Sequence, residues 1–554
     1  MEEISGAQLL VRLLERQGVR TISGIPGGAI LPFYDALVGS QIRHVLARHE
    51  QGAGFIAQGM ARVSGLPEVC VASSGPGATN LVTAIADACL DSIPMVILTG
   101  QVPRAMIGTD AFQEVDIYGI TVPITKHNFL VRCASELSTV IPEAFRIAMS
   151  GRPGPVLVDV PKDVQNQLIA LEELPPPAQP DPAPAVDMDA IAEAARMINT
   201  AARPVLYLGG GVIHSGAAAL AVELAEKAQL PTTMTLMALG AMAAGHPLSL
   251  GMLGMHGARH TNLALDAADA LICVGARFDD RAIGRAAQFC PNAQIVHIDI
   301  DRAELHKIKN AHVAIHADVS AALQALLPLV KDNARASWNA HVNELKRVHP
   351  LRLDGVDEVR SHYGLVRAVA DALGERAIIT TDVGQHQMWV AQAYPLSRPR
   401  QWLTSGGLGT MGFGLPAAIG AALADPDATV VCFSGDGSFK MNIQELATLA
   451  EEALNVKIVL MNNNALGLVY QQQSLFYGKR LNASKYRHAP DFVRIAEGFG
   501  IAALDLDAAD DARSALEAAL RTPGPMLIHA SIDREEFVYP MVPPGAANCE
   551  MIGG

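Results

Sequence analysis

The sequence is poor in charge. Asp, Glu, Lys and Arg make up 18% of its 554 residues, and acids outnumber bases 56 to 42, for a net charge of −14. An acidic chain lacks the basic surface that neutralises phosphates, which argues against nucleic-acid binding. It leaves room for an anionic ligand held by backbone amides and a metal ion. Aromatic residues amount to 5%, too few for a base-stacking platform. There are seven cysteines, Cys70, Cys89, Cys133, Cys273, Cys290, Cys432 and Cys549, an odd number without a CxxC pair. That pattern argues against a disulfide framework or structural zinc, and it fits a reducing, cytoplasmic location. The start, MEEISGAQLLVRLLERQGV, is an amphipathic helix pattern opening on acids, unlike a signal peptide. The longest charge-free stretch, 228–258, is interrupted by Pro231, His246, Pro247 and five glycines. It reads as buried loop and strand in a soluble domain, so no membrane association is expected.

What is present is apolar: half the residues are hydrophobic, enough to build several large cores. The clearest boundary is PPPAQPDPAP, 175–184, where six of ten residues are proline and a stiff extended linker is expected. A weaker break is the polar, helix-like stretch 331–359. The expected organisation is an N-terminal domain over 1–170, a linker over 171–187, a central domain over 188–332, a second linker over 333–357, a C-terminal domain over 358–535 and a tail over 536–554. Each block alternates helical patterns with short, continuously apolar runs: PEVCVASSG, PMVILTG and GPVLVDVP, then RPVLYLGGG, DALICVGA and AQIVHIDID, then RAIITTDVG, ATVVCFSGDG, VKIVLMNNN and PMLIHASID. Strands apolar on both faces belong to parallel sheets covered by helices. The fold class is therefore α/β, with three doubly wound parallel-sheet domains. Ligands bind such sheets beyond the carboxyl ends of the strands, where these runs end in Gly, Ser, Asp and Asn.

Two of those ends form a constellation. One run ends at Ser434 and passes through Gly435-Asp436-Gly437-Ser438 into a helix. The next ends at Asn462-Asn463, and Asn463 lies 27 residues after Asp436, the length of one strand–helix–strand unit. Asp436 and Asn463 should thus stand side by side at neighbouring strand ends. A carboxylate and an amide oxygen with open positions left over suit Mg²⁺ shared with phosphates. Gly435 and Gly437 admit a close phosphate, and the helix start supplies N–H groups. Elsewhere, RHEQGAGFIAQGMAR sets Glu50 at the mouth of a helix so rich in Gly and Ala that something must pack tightly against it.

Gly-Asp-Gly followed 25–30 residues later by Asn-Asn resembles the signature of the thiamin-diphosphate enzymes. Along nearly the whole chain, GIPGGAILPFYDAL, RHEQGAGFIAQGMAR, SSGPGATNLVTAIADA, IGTDAFQEVD, TKHNFLV, SGRPGPVLVDVPKDVQ, GMLGMHGARHTN, GARFDDR, DVGQHQMW and GGLGTMGFGLPAAIGA resemble the catalytic subunits of the acetohydroxyacid synthase (acetolactate synthase) family. The resemblance implies that the N-terminal domain binds the thiamin pyrimidine, the central domain FAD, and the C-terminal domain the diphosphate and Mg²⁺. It makes Glu50 the carboxyl group at the pyrimidine N1′, Gly28 the backbone donor facing the reacting carbonyl, and Phe112 and Gln113 pocket and cofactor-facing residues. Lys162 falls in the substrate channel. Gln385 and His386 hold the diphosphate, Met411 bends the cofactor, Val383 lies near the pyrimidine, and the carbonyl of Ala465 is the third metal ligand beside Asp436 and Asn463.

By the same resemblance Arg152, Gly210, Thr235, Leu236, Met255, His256, Gly275, Arg277, Asp279, Asp299 and Asp318 are flavin contacts, the flavin doing no net redox. Arg281 engages the carboxylate of a second 2-ketoacid, as a guanidinium fork does. The implied reaction decarboxylates pyruvate and passes its hydroxyethyl unit to pyruvate or 2-ketobutyrate, in branched-chain amino acid biosynthesis. The implied assembly is a homodimer, or a tetramer of two, with sites at the interface and a small regulatory subunit. Gln472 and Leu468 depart from most of the family, which has Trp and Met there; losing the Trp contact should leave weak preference between acceptors, as in one bacterial isozyme branch. Glu50 argues against glyoxylate carboligase, and Arg281 with the flavin set against the flavin-free catabolic acetolactate synthase. Pyruvate oxidase is a further rival among the thiamin-diphosphate enzymes, while intact Glu50, Asp436 and Asn463 argue against a non-catalytic homologue. The end, PPGAANCEMIGG, reads as a mobile tail.

Overall fold

The computed structural model describes residues 3–170 and 173–553. Met1 and Glu2, the first two positions of the predicted linker (171 and 172) and Gly554 of the tail lie outside the described residues.

All ten apolar runs are strands, and they form the interiors of three six-stranded sheets whose pairings are all parallel. The first sheet runs Arg43–Leu46, Thr21–Gly24, Glu68–Ala72, Met95–Gln101, Pro155–Pro161, His127–Leu130. The third runs Trp402–Leu403, Ile378–Thr381, Val430–Gly435, Val456–Asn462, Met526–Ser531, Ala502–Asp505. With strands numbered in chain order within each sheet, both read 2-1-3-4-6-5, whereas the middle sheet (residues 204–316) reads 3-2-1-4-5-6, the dinucleotide-binding order. A small antiparallel pair, Glu3–Ser5 with Leu168–Ala170, ties the first unit's two ends together.

The small residues after Glu50 have a structural cause. The helix Glu50–Ser64, capped by His49 Nδ1 accepting from the N–H of Gln51 at 3.1 Å, crosses the helix Gly414–Ala424 of the third unit backbone against backbone. A Cβ at Gly59 would stand 2.2 Å from the carbonyl oxygen of Ala417, and one at Gly420 2.0 Å from that of Ile56. Ile56, Ala57 and Met60 share one core with Leu415, Ala418 and Ile419. The first and third units are therefore fused within one chain. The carboxylate of Glu445 adds a polar clasp, accepting from the N–H groups of Arg48 and His49 at 3.1 and 3.0 Å.

The two connections and the tail are held against the units. The predicted linker 333–357 contains a helix, Ala336–Val348, docked on the central unit by buried Trp338, whose indole donates to the carbonyl of Pro204 at 2.9 Å. The proline-rich segment is extended but held: Ala178 N–H donates to Gln17 Oε1 at 2.8 Å and Asp181 N–H to Ser150 Oγ at 2.9 Å. The tail packs on the central unit, with Val538, Met541 and Val542 buried, Val542 N–H on the carbonyl of Met255 at 2.8 Å, and Asn548 Nδ2 on that of Ala282 at 2.8 Å. All seven cysteines are free thiols, and among the described residues no helix is long and apolar enough to cross a membrane.

Candidate active site

The neighbouring strands Arg43–Leu46, Thr21–Gly24 and Glu68–Ala72 deliver the first cluster beyond their carboxyl ends, Glu50 following the first of them. Ser73 Oγ accepts from the N–H of Ala29 at 3.3 Å, fixing the turn that carries Gly28. Glu50 Oε2 accepts from Asn80 Nδ2 at 2.9 Å, and its Oε1 faces Gly77, where a Cβ would stand 3.2 Å away. Gln113, at a φ of +58°, lays its carbonyl over Gly75, 2.8 Å from where a Cβ would be. Its neighbour Phe112 is 87% exposed. Lys162, after the strand Pro155–Pro161, lines a different and shallow cleft with Ser5, Gln8, Leu31, Asp35 and Asn166.

The second cluster lies at the carboxyl ends of Val430–Gly435 and Val456–Asn462, paired with Gly435 opposite Met461. This brings Asp436 and Asn463 together, the backbone of Asn463 near enough to the Asp436 carboxylate to favour its ionised form. Asp436 is buried, which pushes its carboxyl above the ordinary range, while Lys440, 3.6 Å from Oδ2, draws it back. Oδ1 meets no partner. Asn463 Oδ1 accepts from the N–H of Ala465 at 3.1 Å, and Asn463 Nδ2 donates to Gln385 Oε1 at 2.9 Å. The His386 ring lies against Gly435 and Gly384, where Cβ atoms would stand 2.8 and 2.7 Å away. Burial holds that imidazole neutral, near pKa 3, with Nε2 unpartnered. Ser438 Oγ donates to the carbonyl of Val383 at 2.6 Å. Gly437 follows Asp436 in the buried first turn of the helix.

A cavity of about 760 Å³ opens between the three units, of a size that takes a large ligand. All eleven residues of the predicted flavin set line it: Arg152, Gly210, Thr235, Leu236, Met255, His256, Gly275, Arg277, Asp279, Asp299 and Asp318. Thr235 Oγ1 and His256 Nδ1 are buried there without partners. Desolvation holds His256 neutral, near pKa 4, and pushes the Asp299 carboxyl up to about 6. Arg152 is fixed by Ser92 Oγ at 2.8 Å and Glu304 Oε1 at 2.9 Å. Arg281, Val383, Leu468 and Gln472 line the same cavity. Asp279 caps its own helix by accepting from the N–H groups of Arg281 and Ala282. The exposed Arg281 guanidinium is 3.9 Å from Asp280 and 3.8 Å from Met255 Sδ. Glu50, Gly28, Phe112, Gln113 and Lys162 are not on this cavity.

Sequence reasoning missed the groups that hold the site from behind. Buried Asp382 accepts from the N–H groups of Val383 and Gly412 at 3.0 and 2.8 Å, joining the Gln385 turn to the loop carrying Met411. Asp91 accepts from the N–H groups of Gly406 and Gly407 at 3.1 and 2.7 Å, clasping that loop to the first unit. Gln471, inside a run of three glutamines, is fully buried. Periodicity could have flagged Asp87 and Asp91 as acids four apart on one face of an apolar helix; nothing local distinguishes Gln471 from its neighbours.

Residues 4–120 match the family described as Thiamine pyrophosphate enzyme, N-terminal TPP binding domain, 191–326 the central domain, and 382–530 the C-terminal TPP binding domain. With this fold and these clusters, the protein is a thiamine pyrophosphate enzyme. It is 64% identical over 553 residues to the acetolactate synthase isozyme 1 large subunit of Escherichia coli K12, covering 100% of this chain and 98% of the relative. It is 48% identical to that organism's isozyme 2 large subunit, covering 99% of each chain, and 46% to chloroplastic acetolactate synthase 1 of Nicotiana tabacum, covering 100% of this chain and 85% of the relative. The chain belongs to the acetolactate synthase large-subunit family.

Proposed function

We propose that the chain decarboxylates pyruvate and transfers the hydroxyethyl unit to a second 2-ketoacid, giving 2-acetolactate or 2-aceto-2-hydroxybutyrate in branched-chain amino acid biosynthesis. One observation carries the reading: buried polar atoms without partners stand where the resemblance requires ligands, Asp436 Oδ1 and His386 Nε2 at one end and Thr235 Oγ1 and His256 Nδ1 at the other. Buried polar groups as a rule find partners, and these four, set where the strand ends and the cavity converge, fit Mg²⁺, a diphosphate and a flavin. Asp436, Asn463 and the carbonyl of Ala465 would hold the metal, and Gln385, His386, Gly435, Gly437 and Ser438 the diphosphate.

Thiamin diphosphate, when bound, supplies the electron sink for decarboxylation. Glu50 would hold a proton at the pyrimidine N1′, its second oxygen fixed by Asn80. The Gly28 N–H would face the reacting carbonyl, Met411 and Val383 would shape the ring site, and Gln113 and Phe112 would border the substrate route, while Lys162, given to that route by the resemblance, lines a separate cleft. Arg281, exposed and only loosely paired with Asp280 at 3.9 Å, would orient the acceptor carboxylate. The cavity residues would hold FAD as a structural group.

Glu50 is not on the cavity that Val383, Leu468 and Arg281 line, and Phe112 is 87% exposed. That supports a homodimer, or a tetramer of two, in which each site takes Glu50 from one copy and Asp436 from the other. The large-subunit naming of the relatives supports a small regulatory partner, and the composition a cytoplasmic location. The test is product analysis with pyruvate, Mg²⁺, thiamin diphosphate and FAD. Acetolactate without net oxygen uptake is expected; acetaldehyde or acetate would overturn the reading.

A further inference from the structure

The root of the tail, residues 534–538, is bonded directly to the metal loop. Arg534 Nε donates to the carbonyl of Asn463 at 3.2 Å. The carbonyl of Glu536 accepts from Gln385 Nε2 at 3.0 Å. Gln471 takes both backbone groups of Val538, with the Val538 N–H donating to Oε1 at 2.9 Å and Nε2 donating to the Val538 carbonyl at 3.0 Å.

These contacts decide which way two amides face. With its N–H₂ engaged at the Val538 carbonyl and at Met541 Sδ (3.5 Å), Gln471 can present only Oε1 to Gln385, and it accepts from Gln385 Nε2 at 3.1 Å. Both Gln385 amide hydrogens are then used, on Gln471 and on Glu536, so Gln385 must turn Oε1 toward Asn463. Asn463 answers with Nδ2 and is left with its oxygen, the cation-binding atom, on the side of Ala465. A flipped Asn463 would offer N–H₂ to the metal instead.

We propose that Gln471 is a positioning residue for the metal-and-diphosphate end, fixing the amide orientations of Gln385 and Asn463 and coupling them to the seating of the C-terminal segment. The proposal rests on reading Asp436 and Asn463 as the metal end. Gln471 touches no metal position itself; it acts through Gln385, as outer partners of ligands do.

The test uses the full-length protein with flavin bound, titrated with Mg²⁺ at fixed thiamin diphosphate and without substrate, followed by the fluorescence of Trp389 in the helix that Gln385 begins. For Gln471→Met the Mg²⁺ dissociation constant should rise about 10–100-fold, with flavin content and kcat at saturating Mg²⁺ little changed. Limited proteolysis should cut the tail faster, and Mg²⁺ should cease to protect it. Arg534→Gln, at a half-buried position that does not endanger folding, should shift the constant in the same direction by a smaller factor. Unchanged Mg²⁺ affinity in both variants, while Asp436→Ala abolishes binding, would overturn the proposal alone. Unchanged affinity in Asp436→Ala would overturn the reading of the metal end and the proposal with it.

Discussion

The Lys440 ammonium lies 3.6 Å from Oδ2 of Asp436, and Oδ1 of that buried carboxylate has no partner. One lysine therefore leaves half the carboxylate's hydrogen-bonding capacity unused, as a cation site does. Asp436→Asn should weaken Mg²⁺ binding by about 100-fold or more, because a hard cation takes charged oxygen first. Burial raises this carboxyl's pKa, so the proton competes with the metal at higher pH than at an ordinary aspartate. Mg²⁺ affinity measured across a pH series should fall as pH is lowered, with the fall beginning nearer neutrality. A pH-independent affinity would contradict this.

Gly59→Ala tests the fusion of the first and third units. Its Cβ would stand 2.2 Å from the Ala417 carbonyl oxygen, so the helices must separate. A destabilisation of about 3 kcal/mol is expected from overpacking, read as a lowered urea midpoint. An unchanged midpoint would show that this crossing is not rigid.

Asp159 gives stability a pH dependence. It is buried between Thr99 Oγ1 at 2.7 Å and Gln101 Nε2 at 3.0 Å, and desolvation pushes its carboxyl from an ordinary 3.8 up to about 7. The folded state then binds more protons than the unfolded state between those values. Stability contributed by this group is present below that window and lost as pH rises through it, by at most about 1.4 kcal/mol per unit. Asp159→Asn should flatten the urea-midpoint profile there; a profile no flatter than the wild type's would contradict the assignment.

Gln472 and Leu468 line the cavity near Arg281. With a polar amide where most of the family is expected to have Trp, competition between pyruvate and 2-ketobutyrate as acceptors should be nearly even. Gln472→Trp should raise the 2-ketobutyrate share about tenfold, the worth of packing one methylene. Product ratios by mass settle it, and an unchanged ratio would remove Gln472 from the acceptor pocket.

The strands that could be read from sequence are those buried on both faces, such as Val430–Gly435 and Met95–Gln101. Every sheet edge was missed: Arg43–Leu46, His127–Leu130, Ser249–Met252, Val313–His316, Trp402–Leu403 and Ala502–Asp505 are two to four residues long. Several also expose alternate or most residues, so no continuous apolar run marks them. Thr21–Gly24 and Thr232–Met234, though internal, are too short to stand out. The same limit holds in the site. Asp436 and Asn463 were legible because each ends a long apolar strand at a known separation. Asp382, Asp91 and Gln471 were not, since their partners lie far along the chain.

The most direct measurement mixes two inactive variants, Glu50→Gln and Asp436→Ala, purified separately, dissociated and reassociated at equal concentration. If Glu50 of one copy completes the site of the other, half the dimers are mixed and each carries one intact site. Acetolactate formation should then recover to about a quarter of the wild-type rate. Recovery to that level would establish one catalytic centre built from the two clusters; mixed dimers that stay inactive would contradict it.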